Sequence, residues 1–334
     1  MKLSIIIVNY KSARFIADCL QSALQFPSAQ SFEWIVVDND SKDNSRELLT
    51  TQFPFIHWVD MGYNAGFARA NNEGIRRSTA PVVLLLNPDT LVLDNAIELC
   101  LEKFVNSAYA ACGVQMLNPD LTNQISGSTF MKGGLNHLLP IPYWGGLLKG
   151  VALLLNTRKP SIEVAASEEK VDWISGAYLM VKKEAIAKTG LMDEDFFLYA
   201  EEVEWCSRLQ KAGDLCLFGN FHIIHILGEV ISDAAKSKDK NYTNLFDKKG
   251  LQLMVSNHVR IRKQYGVGWF LFQLLNYSIG VPFYLICSTF DHLFHLRNPF
   301  LDWSKVWGLA KNTLAIWRLL PAIINNKPHF YKML

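Results

Sequence analysis

In the first half of the chain, apolar runs end in polar residues. The run VVLLL at residues 82–86 stops at Asn87, Pro88 and Asp89, and proline cannot continue a strand ladder because it has no N–H to donate. Asp89 is therefore either a turn residue or a carboxylate presented at a strand end. A single carboxylate in such a position can hold Mg²⁺ or Mn²⁺ when substrate phosphates supply further oxygen ligands.

Two earlier apolar runs end in the same way. LSIIIVN ends at Asn9, and EWIVVD ends at Asp38, which begins the polar stretch DNDSKDNS. Asp38 is either an Asx-turn residue or a ligand that accepts a hydrogen bond from a base N–H or a ribose hydroxyl. We favour the ligand, because Asp38 lies at the strand end before the turn begins.

A loop rich in glycine and asparagine, GYNAG, precedes a predicted helix. It contains Asn64 and Gly66, and Asn71 lies within the helix that follows. Two interpretations stay open. The loop is either a tight turn with a helix cap, or a place where a phosphate-bearing ligand approaches backbone N–H groups at a helix N-terminus.

Two adjacent acids and a histidine in the second half are further candidates. Glu201 and Glu202 fall in the first turn of a predicted helix, where the helix dipole favours their ionised form. Acids on a helix are usually solvated, but the aromatic residues of FFLY before them indicate a buried mouth, where a carboxylate can act as a general base. His225 in HIIHILG is either a core histidine or part of a metal or diphosphate site.

Strands and helices alternate up to about residue 116 and would position these side chains. Helices are predicted near residues 13–25, 44–52 and 65–77, between apolar strands. Such alternation predicts an α/β fold with a mostly parallel sheet covered by helices on both faces. Ligands of open α/β sheets lie outside the carboxyl ends of the strands. The periodicity fades between about residues 117 and 171, where we expect an insertion over the active site.

Composition and missing motifs exclude several classes of protein. A net charge of +2 over 334 residues gives no general case for nucleic-acid binding. No glycine fingerprint follows the first strand and no G-x-x-x-x-G-K-[ST] loop occurs, which argues against dinucleotide oxidoreductases and P-loop NTPases. The N-terminal apolar run is too short for a signal peptide, so we expect a cytoplasmic protein.

Six segments, in order along residues 1–230, resemble family 2 glycosyltransferases of the GT-A fold, and most closely the bacterial rhamnosyltransferase-like branch. They are SIIIVNYKS, VVDNDSKDNS, NAGFARANNEGI, LLNPDT, FFLYAEEVEWCSRLQKAG and HIIHILG. The resemblance implies a GT-A-type α/β/α sandwich over residues 1–240. It also implies a metal-dependent, inverting transfer of a sugar from a nucleoside diphosphate to an acceptor hydroxyl.

The leading hypothesis is transfer of rhamnose to a lipid-linked saccharide of a bacterial surface polysaccharide. Another hexosyl or galactofuranosyl transferase of the same fold is the alternative enzyme. A catalytically inactive glycosyltransferase-like scaffold that binds a membrane partner is the alternative from a different class.

The resemblance implies a role for each candidate residue. Asp89 and His225 would hold Mn²⁺ or Mg²⁺ on the diphosphate. The family base is the Asp of a Glu-Asp pair, whereas this chain has Glu201-Glu202, of which we favour Glu202. The expected contacts to the nucleotide sugar are Asn9, Asp38, Asn64, Gly66, Asn71 and Asn87, and the expected lining of the sugar and acceptor pocket is Trp173, Ser175, Gly176 and Ala177.

Residues 241–334 are predicted to form a helical, basic and apolar extension. Residues 264–290 contain no charged side chain and are long enough to cross a bilayer, but Gln273, Asn276 and Pro282 interrupt them. Residues 260–334 carry nine Lys or Arg against two Asp. We therefore expect amphipathic helices on the anionic inner face of the cell membrane, with a single span or a plain core helix as alternatives.

Overall fold

The computed structural model describes residues 1–154, 161–226 and 244–334. The strands are β1 Leu3–Asn9, β2 Glu33–Asp38, β3 His57–Asp60, β4 Val82–Leu86, β5 Thr90–Val92, β6 Ala111–Leu117, β7 Asn123–Gln124, β8 Gly127–Ser128, β9 Ser161–Ile162, β10 Glu169–Val171, β11 Trp173–Ile174, β12 Tyr178–Lys182 and β13 Leu215–His225.

Helices cover the faces of the sheet and much of the second half of the chain. They are α1 Ala13–Leu24, α2 Ser45–Gln52, α3 Gly66–Arg77, α4 Ala96–Val105, α5 Trp144–Leu154, α6 Lys183–Thr189, α7 Glu201–Leu209, α8 Lys248–Tyr265, α9 Val267–Phe294 and α10 Trp303–Asn325. Pro27–Ser31 and Lys132–Leu138 are 3-10 helices. The first three α-helices fall where the sequence predicts them.

The apolar runs of the first half form one parallel half-sheet. β1 lies between β2 and β4, and β3 pairs with β2, all in parallel. β1 and β4 are mainly apolar because both of their faces are covered, and every residue of these two strands is buried, whereas no residue of β3 is buried. α3 lies especially close to β1, since a Cβ on Gly74 would come within 2.4 Å of the Ile6 side chain.

Beyond β4 the sheet becomes mixed. β12 pairs antiparallel with both β4 and β6, while β13 pairs parallel with β6. The last three residues of β13 then pair antiparallel with the short β5, with His225 opposite Thr90. This pairing returns the end of β13 to the segment that follows β4, which is the segment containing Asp89.

The described residues divide into two compact units. The first contains residues 1–129, 161–197 and 201–226, and the second contains residues 130–154, 198–200 and 244–334. The sheet and α1–α4, α6 and α7 belong to the first unit. The domain limits expected from the sequence stay a prediction, because residue 240 lies outside the described residues.

The second unit is helical. α8, α9 and α10 contact one another, and α8 begins at an Asp247 cap whose Oδ1 accepts from the Gly250 N–H at 2.9 Å. Three residues just before α7, Leu198–Ala200, also belong to this unit. The Ser256 hydroxyl of α8 donates to the main-chain oxygen of Leu198 at 2.7 Å, which fastens this short segment to the helix.

Candidate active site

A network of side-chain hydrogen bonds joins the ends of β1 and β2. Asn9 is fully buried, and its Nδ2 donates to Asp38 Oδ1 at 2.7 Å and to the Ser41 hydroxyl at 3.0 Å. Asn9 Oδ1 accepts from the N–H and the hydroxyl of Ser12. The Asn9 amide is thus used within the protein, and its effect is to fix Asp38, which is partly exposed and retains acceptor capacity for a ligand.

The loop before α3 is organised by Asn39, a residue that the sequence reasoning missed. Asn39 is buried, and its Oδ1 accepts from the Ala65 N–H at 2.8 Å. The Gly66 N–H donates to Asn64 Oδ1 at 3.2 Å, and the Phe67 N–H donates to the main-chain oxygen of Phe197 at 2.8 Å. Since protein groups already engage these N–H groups, the geometry favours the tight turn over a phosphate site.

Asn71 is buried within α3, and its Nδ2 donates to the main-chain oxygen of Phe67 at 3.0 Å. The next residue, Asn72, exchanges two hydrogen bonds with the main chain of Met192, at 2.9 and 3.0 Å. α3 is therefore tied to the chain that leads towards α7.

Asn87, Asp89 and His225 come together at the end of β4. Asp89 Oδ1 lies 3.4 Å from His225 Nε2, with 7% and 6% of the two side chains exposed. Asn87 Nδ2 lies 3.5 Å from the same ring nitrogen. The main-chain oxygen of Asp89 accepts from the Ile226 N–H at 2.8 Å, so the backbone as well as the side chains hold the two segments together.

The protonation of His225 shows what this cluster can bind. His225 Nδ1 lies 3.2 Å from Gln124 Oε1, which can only accept, so Nδ1 carries a hydrogen. In the neutral ring Nε2 then presents a lone pair to a carboxylate oxygen. This lone pair faces the Asp89 carboxylate and the Asn87 amide, and a cation held by both Nε2 and the carboxylate would stabilise their close approach.

The residues present fit a divalent cation, because imidazole nitrogen and carboxylate oxygen are both common metal ligands. No cluster of three His, Cys, Asp or Glu side chains suited to a metal occurs in the described part of the chain. Asp89 and His225 would therefore supply two ligands, and phosphate oxygens and water would supply the remainder, as is usual for Mg²⁺.

The loop before β12 lies next to this cluster. The Asn87 N–H donates to the main-chain oxygen of Ala177 at 3.0 Å, and the Ser175 N–H donates to that of Ser126 at 2.9 Å. A Cβ built on Gly176 would lie 3.6 Å from Cγ of Glu202. Through Gly176 and Ala177, the contacts bring the Glu202 side chain into the neighbourhood of Asn87 and the metal candidates.

Glu201 and Glu202 differ in accessibility. Glu201 is 2% exposed, whereas Glu202 is partly exposed, so Glu202 is the better placed of the two to meet a substrate hydroxyl. Tyr199 and Ala200, just before α7, both have left-handed φ angles of 71° and 65°. Such conformations are uncommon for residues other than glycine and concentrate at functional sites.

Trp173 provides a further donor beside this loop. It forms β11, which pairs with β8 through Ser128, and its Nε1 is buried without a hydrogen-bond partner among the described residues. A buried indole N–H normally has a partner. The assignment of Trp173 to the sugar and acceptor pocket stays a prediction.

Two buried cysteines near the site are held as neutral thiols. Burial raises the pKa of Cys206 on α7 to about 12, and the charge of Glu202 acts in the same direction. Burial likewise raises the pKa of Cys19, whose Sγ lies 3.5 Å from the Thr90 hydroxyl, to about 12. Since the thiolate is the reactive and metal-binding form, neither cysteine is suited to act as a nucleophile or a metal ligand.

Comparison with known sequences defines the class of protein. Residues 4–160 match the profile described as Glycosyl transferase family 2. This match over residues 4–160 agrees with the resemblance that the six motifs carry.

The similar proteins include a hexosyltransferase and a rhamnosyltransferase. The low-salt glycan biosynthesis hexosyltransferase Agl10 of Haloferax volcanii is 30% identical over 214 residues, which are 63% of this chain and 62% of that protein. The N-acetylglucosaminyl-diphospho-decaprenol L-rhamnosyltransferase of Mycobacterium tuberculosis is 25% identical over 231 residues, covering 65% of this chain and 73% of that protein. The match therefore spans less than two thirds of the hexosyltransferase.

Comparison with solved structures confirms the GT-A fold. The mannosyltransferase PcManGT from Pyrobaculum calidifontis, solved with GDP-Man and Mn²⁺, superposes with a TM-score of 0.54 at 12% identity, covering 95% of this chain and 87% of that chain. TarS 1-349 of Staphylococcus aureus gives a TM-score of 0.50 at 11% identity, covering 95% and 92%. The mixed sheet described above is the central sheet of this fold.

Substitution of Gly66 separates the two interpretations of its loop. Gly66 has a φ of +79°, and a Cβ there would lie 2.2 Å from the main-chain oxygen of Phe197. We expect Gly66→Ala to lower the free energy of unfolding by roughly 3 kcal/mol, from left-handed strain and overpacking together. Denaturant unfolding monitored by circular dichroism measures the loss.

Gly62→Ala is the matched control. Gly62 has a similar φ of +75° but open space around it, so the variant should lose only about 1 kcal/mol. Equal losses for the two variants would contradict the structural role of Gly66. A normally stable Gly66→Ala protein with weakened binding of nucleotide sugars would instead favour the phosphate interpretation.

Proposed function

We propose that the protein is an inverting, cation-dependent glycosyltransferase that moves a sugar from a nucleoside diphosphate to a hydroxyl of a saccharide acceptor. The observation that carries the proposal is the Asp89 and His225 pair at the end of β4, 3.4 Å apart, with Glu202 nearby against Gly176. This arrangement supplies a cation site for a leaving diphosphate and a carboxylate for an acceptor proton within one stretch of the sheet edge.

The protein groups have separate tasks in the proposed reaction. Asp38, fixed by Asn9 and Ser41, accepts hydrogen bonds from the nucleoside. A divalent cation, when bound, stabilises the negative charge that grows on the leaving diphosphate. Glu202 takes the proton of the acceptor hydroxyl. The oxygen of this hydroxyl attacks the anomeric carbon as the bond from that carbon to the diphosphate breaks. A single displacement of this kind inverts the anomeric centre.

The relatives support a narrower choice of substrates. One of them carries the name of an L-rhamnosyltransferase acting on N-acetylglucosaminyl-diphospho-decaprenol, and another is named as a glycan biosynthesis hexosyltransferase. We therefore propose rhamnose as the donor sugar and a lipid-linked saccharide of a surface polysaccharide as the acceptor. Another hexose or galactofuranose remains the alternative donor. The solved relative with GDP-Man and Mn²⁺ supports Mn²⁺ as the cation.

A lipid-linked acceptor calls for a protein that works at a membrane, and the polarity of α9 supports this. Polar residues of α9 face inwards, where the Gln273 amide donates to the main-chain oxygens of Gly133 and Gly134, both at 2.9 Å. Large apolar side chains of the same helix are exposed, namely Leu271, Phe272, Leu275, Ile279, Ile286, Phe290, Leu293 and Phe294. A helix facing water has the opposite arrangement.

We propose that this apolar surface lies on an anionic bilayer. It continues through the connection to α10, where Leu296 is 96% exposed, and into α10 itself, where Trp307 is 66% exposed. Exposed basic residues accompany it, namely Arg297, Lys305, Lys311 and Arg318. α9 is long and apolar enough to cross a membrane. However, buried polar residues occur along α9 as far as His292, near its end. This favours a helix that is part of a helical unit lying at the membrane surface over a helix that crosses the membrane.

Glutamine substitutions test the choice of base. Glu202→Gln should lower kcat by roughly 10² to 10⁴, the usual contribution of a positioned general base, while binding of the nucleotide sugar stays near normal. Turnover is measured by release of nucleoside diphosphate, and donor binding by calorimetry. Glu201→Gln is the control and should lose much less activity. The larger loss in a folded Glu201→Gln protein would make Glu201 the base.

Removal of the Asp89 charge tests the cation site. Asp89→Asn keeps the size of the side chain, and we expect it to abolish turnover. In the wild type, we expect a chelator to block turnover and added Mn²⁺ to restore it. Asp60→Asn is the control, because Asp60 also ends a strand but is exposed and paired with Arg46. Full activity in Asp89→Asn, or wild-type turnover unaffected by chelator, would remove the cation from the mechanism.

Vesicle binding tests the membrane surface. The double variant Phe294→Ser, Leu296→Ser should bind vesicles of anionic lipid at least tenfold more weakly, since burial of one large apolar side chain contributes about 1.5 to 3 kcal/mol. Leu99→Ser on α4, also at an exposed apolar position, should bind normally. High salt should release part of the wild type. Binding is measured by sedimentation with the vesicles, and equal sedimentation of the protein with and without anionic vesicles would refute the proposal. Protein that neither salt nor an alkaline wash releases from the vesicles would favour a membrane-spanning helix.

A further inference from the structure

Gln124 contacts His225 through both ends of its side-chain amide. Its Nε2 donates to the main-chain oxygen of His225 at 2.6 Å, and its Oε1 lies 3.2 Å from the ring Nδ1. Gln124 is 6% exposed, so bulk water has little access to either contact. We infer that Gln124 is a positioning residue that fixes the orientation and the protonated nitrogen of the His225 ring. The inference rests on the proposed function, in which Nε2 of His225 is a cation ligand.

The orientation of the Gln124 amide is determined by its neighbours. Besides the main-chain oxygen of His225, Nε2 donates to Asn118 Oδ1 at 2.8 Å. A flipped amide would place Oε1 against both of these acceptors, which would leave two repulsive contacts in a buried position. Oε1 therefore points to the His225 ring.

A fixed Oε1 selects one form of the neutral imidazole. An amide oxygen accepts hydrogen bonds and cannot donate them, so His225 Nδ1 must carry the ring hydrogen. The lone pair then lies on Nε2, the atom 3.4 Å from Asp89. A hydrogen-bond partner on the second ring nitrogen is the usual device by which proteins orient a metal-binding histidine.

The backbone of Gln124 is itself held in place. Gln124 pairs with Met116 across β6 and β7, and its main-chain oxygen accepts from Gln115 Nε2 at 2.9 Å. The position of the amide is thus set by the sheet, which makes it a rigid reference for the ring. The competing explanation is that Gln124 only donates hydrogen bonds to buried oxygens, and that Asp89 alone sets the orientation and tautomer of the His225 ring.

Gln115 provides a matched control for that competing explanation. It is also buried, and it bonds main-chain groups of the same sheet edge, with Nε2 donating to Met116 at 3.0 Å and Oε1 accepting from Ala165 at 2.9 Å. It makes no contact with His225 in the hydrogen bonds of the described residues. A purely structural role would make substitutions of Gln115 and Gln124 equivalent.

The first measurement needs neither metal nor substrate. Nitrogen NMR of the ¹⁵N-histidine-labelled full chain, at mildly alkaline pH without metal, reports which ring nitrogen of His225 carries hydrogen, and a His225→Asn sample assigns the signal. Wild type and Gln115→Met should show hydrogen on Nδ1. Gln124→Met should shift towards hydrogen on Nε2, because the acceptor that faces Nδ1 is then absent.

The second measurement is the affinity for Mn²⁺ alone, followed by electron paramagnetic resonance. Loss of a partner of a metal-binding histidine typically costs 10- to 100-fold in affinity, so Gln124→Met should bind about 10- to 100-fold more weakly. Gln115→Met should stay within about threefold of the wild type on the same scale.

A folded Gln124→Met protein with the wild-type ring form and wild-type Mn²⁺ affinity would overturn the inference. If Gln124→Met does not fold, Gln124→Asn withdraws the amide by one methylene and must produce the same shift in the ring signal. Failure of the proposed function looks different. A wild type that binds no Mn²⁺ would remove the cation, and the ring signal of the Gln124 variants would still decide whether the amide sets the ring.

Discussion

The close approach of the Asp89 carboxylate to His225 Nε2 is the constraint around which the site is arranged. Both side chains are almost fully buried, and a buried carboxylate facing a nitrogen lone pair is costly unless a positive charge lies between them. The backbone enforces the approach, because β5 pairs with β13 and Asp89 bonds to Ile226. Folding therefore brings a carboxylate oxygen and an imidazole nitrogen together at one point of the sheet edge, where a cation would stabilise their close approach.

The change of strand direction at β12 explains how so many functional groups reach this edge. Parallel strands bring their carboxyl ends together, which accounts for Asn9, Asp38 and Asn87. β12 runs the other way, so its amino end meets the carboxyl end of β4. The loop that precedes it, Ser175 to Ala177, is thereby delivered to the same edge, and Glu202 lies against it. A wholly parallel sheet would place this loop at the opposite edge.

Sequence reasoning predicts the part of this arrangement that depends on local pattern. The apolar runs of β1, β2 and β4 and the polar residues that end them are visible in the sequence, and so are α1, α2 and α3. The pairing of His225 with Asp89 is not visible locally, because it depends on an antiparallel contact between segments far apart in the chain. Only likeness to known glycosyltransferases suggested it.

Two residues escaped prediction for different reasons. Asn39 was hidden in a polar stretch in which any residue is typical of a turn, although its position directly after Asp38 is a signal that could have been followed. Gln124 lies where the periodicity fades, so neither its burial nor its contact with His225 could be inferred. Buried amides are recognised by the partners they find after folding, and these partners here come from other strands.

The short segment Leu198–Ala200 has a consequence for how this chain can be altered. It packs with the helical unit through Ser256, and the very next residue is Glu201, followed by the proposed base. The chain thus leaves the helical unit at Ala200, immediately before the two carboxylates of Glu201 and Glu202. The helical unit is for this reason not an interchangeable module, because a graft from a related protein would have to match these three internal residues as well as the helices of residues 244–334.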